Sequence, residues 1–182
     1  MIYVALLRGI NVGGHNKVEM KELKTSFESL GFTDVTTYIN SGNVVFQAPS
    51  KEQDTIVYEI EEAMKRDFQL EIKVLVRDWE NMKTICQDLP ATWLKNEAMR
   101  TEVMFLWENF DNLAVLETLP ISSVDNVKYT SGAILWNVKS KDYRKSGMIK
   151  LVGTKPYKNM TVRNVNTVRK LYEIMINIAS KK

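Results

Sequence analysis

The sequence predicts an α/β (α+β) protein: two tandem ferredoxin-like subdomains with mainly antiparallel sheets and an added C-terminal helix. Three observations predict it. The first 77 residues carry strand and helix signals in the order βαββαβ, the pattern restarts after Asp78, and an amphipathic stretch closes the chain. The predicted division is 1–77 for the first subdomain and 78–182 for the second, which includes the C-terminal helix.

Residues 2–8 are continuously apolar up to Arg8, as a central strand covered on both faces should be. A glycine-rich loop, Gly9–Lys17, follows. Met20, Leu23, Phe27 and Leu30 then recur at helical spacing, with Gly31 placed to end the helix. Two β-rich stretches, Thr33–Ile39 and Val44–Ala48, flank the turn Asn40-Ser41-Gly42-Asn43 and read as a hairpin. Ser50 and Gln53 have capping-box spacing ahead of a helix with Ile56, Ile60, Ala63 and Met64 on one side. Ile72, Val74 and Val76 alternate with Lys73, Leu75 and Arg77 as a half-buried edge strand.

In the second half, Asp78 stands where it could cap a short helix carrying Trp79, Met82, Ile85 and Cys86, ended by Pro90. Thr101–Trp107 reads as a strand and Asp111–Leu119 as a short helix. Val124–Tyr129 and Ala133–Val138 form a hairpin about Thr130-Ser131-Gly132. A basic stretch, Lys139–Lys145, leads to a helix over Gly147–Val152. The last helix runs from near Asn164 to about Ala179, burying Val165, Val168, Tyr172, Met175 and Ala179. The halves share an order of elements rather than residue identity.

Apolar residues make up 45% and charged residues 26% of the 182, enough for ordinary cores. No apolar run reaches membrane-spanning length, and the opening apolar residues read as a strand rather than a signal peptide. A single cysteine gives no internal disulfide, so a cytoplasmic location of bacterial type is expected. The net charge of +3 conceals an asymmetry. Residues 1–127 hold 12 Lys and Arg against 20 Asp and Glu, whereas residues 128–182 hold 13 against Asp142 and Glu173 alone. Such a basic segment either pairs with the acidic part of its own chain or offers a surface to an anion.

The loop Gly9-Ile10-Asn11-Val12-Gly13-Gly14-His15-Asn16-Lys17 sits between a strand and a helix, where glycines let backbone amides converge on an anion. Gly9 and Gly14 have P-loop spacing, but His15-Asn16 occupies the place of the Lys-Ser/Thr pair that reaches phosphates and magnesium. In a βαββαβ unit this loop and the Asn40–Asn43 turn fall at the same end of the sheet. Arg8, Asn11, His15, Asn40, Ser41 and Asn43 should therefore share one rim. Thr161–Thr167 precedes the last helix. Asn164 and Thr167 suit capping, and Arg163 beside the helix start suits a phosphate or carboxylate, unless it is an ordinary surface arginine.

One histidine and one cysteine provide no metal-ligand spacing, so no metal and no cofactor is expected. Cys86, on an apolar helix face, reads as inert. His15 is the one imidazole available as a general base. Trp79, Trp93, Trp107 and Trp136 could stack bases only if exposed, and Trp107 and Trp136 fall on predicted strands.

Tyr3–Gly14, Asn16-Lys17-Val18, Leu30-Gly31-Phe32 and Thr37–Phe46 resemble the opening of the bacterial family called domain of unknown function 1697. Arg163–Leu171 resembles its closing motif. The resemblance implies a two-subdomain ferredoxin-like fold and carries no catalytic residue. Its motif positions here are Arg8, Asn11, Gly13, Gly14, Asn40, Ser41, Asn43, Arg163, Asn164, Asn166 and Thr167. Near Arg144-Lys145-Ser146 the chain departs from a Gly-Arg-Ser-Lys-type segment of that family.

Three functions follow as expectations. The first is a binding module for a phosphate-bearing ligand, a nucleotide or nucleic acid, with no membrane partner; its site is the set of motif positions just named. The second is a metal-independent enzyme acting on a small anionic metabolite, with Arg8 and Asn40 as donors. The third is an interaction or structural protein in which acidic and basic parts pair.

Overall fold

Six residues free of glycine and proline, Ile2–Leu7, form β1, the strand around which the first unit assembles. The structure is a computed structural model that describes residues 1–49 and 52–181. It contains two compact units, Met1–Glu80 with Leu171–Lys182, and Asn81–Lys170.

In the first unit, β1, β2 (Thr33–Tyr38), β3 (Asn43–Gln47) and β4 (Val74–Asp78) form an antiparallel sheet in the order β2-β3-β1-β4. Strand alternation sends Tyr3, Ala5, Leu7, Val44, Phe46, Val74 and Val76 to one face. There they meet Leu23 and Phe27 of α1 (Met20–Ser29) and Ile56, Ile60 and Met64 of α2 (Gln53–Phe68). Phe46 centres this core, with ring centroids 4.6 Å from Phe32, 5.4 Å from Phe27 and 5.8 Å from Tyr3. Gly31, at φ +82°, ends α1 as its position predicts. The capping-box residue Ser50 lies outside the described residues. Gln53 donates from Nε2 to Val76 O at 2.9 Å, tying the start of α2 to β4. The edge strand β4 departs from the half-buried reading. Leu75 and Arg77 are 2% and 8% exposed, so its second face is also covered, as are Val4, Leu6 and Val45 on that face.

The second unit repeats the plan. β5 (Met99–Leu106), β6 (Asn126–Thr130), β7 (Ala133–Lys139) and β8 (Met160–Asn164) form an antiparallel sheet ordered β6-β7-β5-β8. α4 (Met148–Leu151) lies wholly within this unit, whereas α3 (Trp79–Asp88) and α5 (Val165–Ala179) are shared with the first unit, which holds Trp79-Glu80 of α3 and α5 from Leu171 onward. β8 is absent from the sequence reading, which left Thr161–Asn164 as a lead-in to the last helix. Five residues ending in Arg163-Asn164 give too short an apolar alternation to register. The predicted helix over Asp111–Leu119 is instead one stretch of 3-10 helix, Leu113–Thr118, and a separate 3-10 turn, Glu108–Phe110, precedes the predicted range. The Asp111 carboxylate accepts from Tyr129 Oη and Gly132 N, each at 2.9 Å. Trp136 is completely buried and unavailable for stacking.

One carboxylate fixes the long β7–β8 crossover. Asp125 accepts from Ser122 N at 2.8 Å, from Gly147 N at 2.8 Å and from the Ser146 hydroxyl. Burial pushes its pKa up, but the hydrogen bonds from Ser146 and the backbone of Ser122 and Gly147 overcome this and hold it below the usual carboxylate value. Beside it the backbone of Gly147 passes so close to Pro120 that an added Cβ would lie 1.6 Å from the Pro120 carbonyl oxygen.

Two predictions follow from this anchor. Gly147→Ala should destabilise the protein by about 2 to 4 kcal/mol in urea denaturation. Gly153→Ala, at φ +87° but facing open space, should cost only about 1 kcal/mol. A carboxyl depressed by folding contributes stability above its unfolded pKa, and that contribution is lost as pH falls through the folded value. Stability measured below about pH 4 should therefore decline more steeply in the wild type than in Asp125→Asn.

Candidate functional site

The Gly9–Lys17 loop and the Asn40–Asn43 turn meet at one end of the first sheet. Leu7 N donates to Gly42 O at 2.8 Å. Gly42, at φ +72°, lies so close that a Cβ there would sit 2.8 Å from Leu7 Cβ and 2.9 Å from Ile10 Cδ1. This position requires glycine for both space and conformation.

Asn11 locks the junction. Its own backbone is left-handed, at φ +53°. Its Nδ2 donates to Val18 O and to Asn40 O, both at 2.9 Å, and its Oδ1 accepts from Val18 N at 2.8 Å. One side chain thus ties the loop's first half to its exit and to the neighbouring turn. Asn16, also left-handed, donates from Nδ2 to Gly9 O at 2.9 Å and accepts at its carbonyl from Asn11 N at 3.0 Å. Between these clamps Gly13, Gly14 and His15 stand exposed at the tip, with the glycines at φ +58° and +81°.

The turn's polar residues serve the fold in the same way. Asn43 is fully buried, donating to Tyr38 O at 3.1 Å and Ser41 Oγ at 2.9 Å. Asn40 is exposed. Arg8 is half-buried, and its amide donates to Lys73 O at 3.0 Å. An open cleft of about 640 Å³ borders the junction, lined by Asn11, Gly14, Lys17, Val18, Glu19, Met20, Lys21, Glu22 and Asn40. Of the predicted first-unit residues, only Asn11, Gly14 and Asn40 reach this cleft. Lys17, Lys21, Glu19 and Glu22 were not singled out, because charged residues on an exposed helix start carry no distinguishing sequence signal.

Arg163, Asn164, Asn166 and Thr167 belong to the second unit. Arg163 sits in β8 opposite Val103 and is 8% exposed. Its Nη1 donates to Thr161 Oγ1 at 3.0 Å and to Val162 O at 2.9 Å, and burial pushes its pKa down to about 10. Asn164 Oδ1 accepts from Thr167 N at 3.0 Å, which is helix capping, and Asn166 Nδ2 donates to Lys95 O at 3.1 Å. Arg77 repeats the geometry of Arg163 in the first unit: opposite Val4, 8% exposed, with Nη1 donating to Val76 O at 3.1 Å. Val76-Arg77-Asp78 and Val162-Arg163-Asn164 each close a fourth strand and lead directly into a helix. This is a residue-level repeat that the sequence reading passed over.

Cys86 has its thiol pKa pushed up to about 11 by burial, against a smaller opposing pull from Arg169, so it is a poor nucleophile. Among the described residues no three His, Cys, Asp or Glu side chains cluster as metal ligands, and no helix is long and apolar enough to cross a membrane.

Two tandem four-stranded units with a clamped glycine loop at one sheet end define an α/β protein of paired ferredoxin-like units. The family described as "Protein of unknown function (DUF1697)" matches residues 1–135, and the chain belongs to it. Among solved structures, the conserved bacterial protein SP0830 from Streptococcus pneumoniae is similar. It shares 28% identity over 96% of this chain and 98% of that one, with a TM-score of 0.82. No curated protein matches the chain.

The clamp makes Asn11 a positioning residue with a measurable stability role. Asn11→Asp keeps the shape but cannot donate to Val18 O or Asn40 O. It should cost about 2 to 3 kcal/mol in urea denaturation and accelerate hydrogen exchange across residues 9–18. Asn11→Gly, which tolerates the left-handed backbone, should cost less than Asn11→Ala.

Proposed function

We propose that this protein is a binding module for a nucleotide-sized, phosphate-bearing ligand held in the cleft beside the Gly9–Lys17 loop. The observation that carries this reading is the juxtaposition of a clamped, left-handed glycine tip with Lys17 and Lys21 on one open cleft of about 640 Å³. That volume falls within the range of small-ligand sites. Lys17 and Lys21 supply point charges for a phosphate, and the exposed Gly14, which lines the cleft, lets an anion approach the backbone. Glu19 and Glu22 line the same cleft. They disfavour a bare polyanion and suit a ligand with hydroxyl or amine donors beside its phosphate, as a ribose and base provide. In this reading Asn11 and Asn43 shape the site without touching the ligand, because their side chains are committed internally.

Calorimetric titration with adenosine and guanosine triphosphates tests the reading. Wild type should bind saturably, and Lys17→Ala with Lys21→Ala should weaken binding at least about tenfold, the loss expected for a charge-assisted contact. The reading fails if wild type gives no heat at millimolar ligand, or if the double variant binds as tightly.

A further inference from the structure

We infer that the β7–β8 crossover of the second unit is a docking surface for the phosphate backbone of nucleic acid, independent of the cleft in the first unit. Residues 139–159 carry Lys139, Lys141, Arg144, Lys145, Lys150, Lys155 and Lys158 against the single acid Asp142. The segment covers one face of its own sheet. Met148 and Leu151 are buried there, with Tyr143 and Tyr157 packed partly against Met104, Leu106, Ile134, Trp136 and Met160. With the apolar side chains directed inward, the cations are left outward. Lys139, Lys141, Arg144, Lys145, Lys150 and Lys155 are all exposed. Among the described residues none of these six has an ion-pair or hydrogen-bond partner for its side chain.

That observation decides between the two fates open to a basic segment. Self-pairing would have neutralised these cations, and it has not. Nor is the segment a loose tail. Its middle is held by the Asp125 carboxylate on Ser146 and Gly147, and by the close passage of Gly147 against Pro120. A fixed array of cations pays less ordering entropy on binding than a disordered one.

The array fits a phosphate backbone better than base recognition or a lipid surface. The two tyrosines of the segment are taken up, Tyr143 beneath the Arg100 guanidinium at 4.0 Å and Tyr157 against the core, so neither offers a stacking face. Ile149 and Val152 are exposed, at 41% and 69%. They sit, however, in a one-turn helix and the turn after it, too short an element to satisfy its own backbone in a hydrocarbon interface. Charge therefore carries the surface, and binding should be independent of sequence and strongly dependent on salt.

Fluorescence anisotropy of a labelled 20-base-pair DNA duplex and a 20-nucleotide RNA, measured across a potassium chloride series, tests this. Wild type should bind both. The plot of log affinity against log salt should have a slope of roughly −4 to −5 on the duplex if most of the six cations engage phosphates. Lys145→Ala, Lys150→Ala and Lys155→Ala combined should reduce the slope by roughly 2 to 3 and leave circular dichroism unchanged. Lys17→Ala with Lys21→Ala should leave it unaltered, which separates this surface from the nucleotide cleft. The inference is overturned by absence of binding at about 50 mM salt, by an unchanged slope in the triple variant, or by loss of binding in the Lys17 and Lys21 variant. It is also overturned if phosphatidylserine vesicles compete fully with the duplex and Ile149→Ser with Val152→Ser abolishes that competition.

Discussion

The side chain of Asn11 is the constraint on which the geometry of the first unit's loop end depends. A nine-residue connection with several left-handed residues has high conformational entropy. Without a local clamp its tip would sample many arrangements. Asn11 satisfies the backbone on both sides of Val18 and reaches across to Asn40. The loop, Val18 ahead of α1 and the hairpin turn are therefore tied together by one side chain. Because the amide uses both its donors and its acceptor, an aspartate or a serine cannot replace it bond for bond. The glycine tip and Lys17 are held through this junction together with the Asn16 clamp, and Lys21 through α1.

The two units show how one topology tolerates different connections. Leu7 N bonds Gly42 O in the first unit, and Leu106 N bonds Gly132 O in the second. Arg77 faces Val4 and Arg163 faces Val103 at matching register positions. The sheet ends and fourth strands thus repeat closely. The connection from third to fourth strand does not. In the first unit it is the 16-residue helix α2, with charges of both signs. In the second it is short helical turns whose only acid is Asp142. A helix supplies its own backbone hydrogen bonds. The short turns do not, and the half-buried Asp125 carboxylate takes over part of that task by accepting from Gly147 N.

Much of this was legible in the sequence. The apolar stripe Met20, Leu23, Phe27 and Leu30, the glycine at Gly31 and both hairpin turns gave α1, β2, β3, β6 and β7 close to their observed limits. The meeting of the Gly9–Lys17 loop with the Asn40 turn followed from topology alone. What was not legible has physical causes. β8 is short, and its Arg163 is polar yet buried, so the alternation breaks at that residue. The residues at Asp111–Leu119 tighten into 3-10 turns because a tertiary partner claims Asp111. The asparagines of the rim looked like ligand donors because sequence shows donor capacity but not commitment. In the structure Asn11 and Asn43 spend that capacity on backbone.

In the proposed function the clamped loop presents its tip and its lysines to a phosphate-bearing ligand. Nuclear magnetic resonance titration of the isotope-labelled protein with a nucleoside triphosphate tests it most directly, residue by residue. Saturable shifts of the Gly14, Lys17 and Lys21 amides are the expected result. Saturable shifts confined to other residues, or no shifts at millimolar ligand, would contradict it.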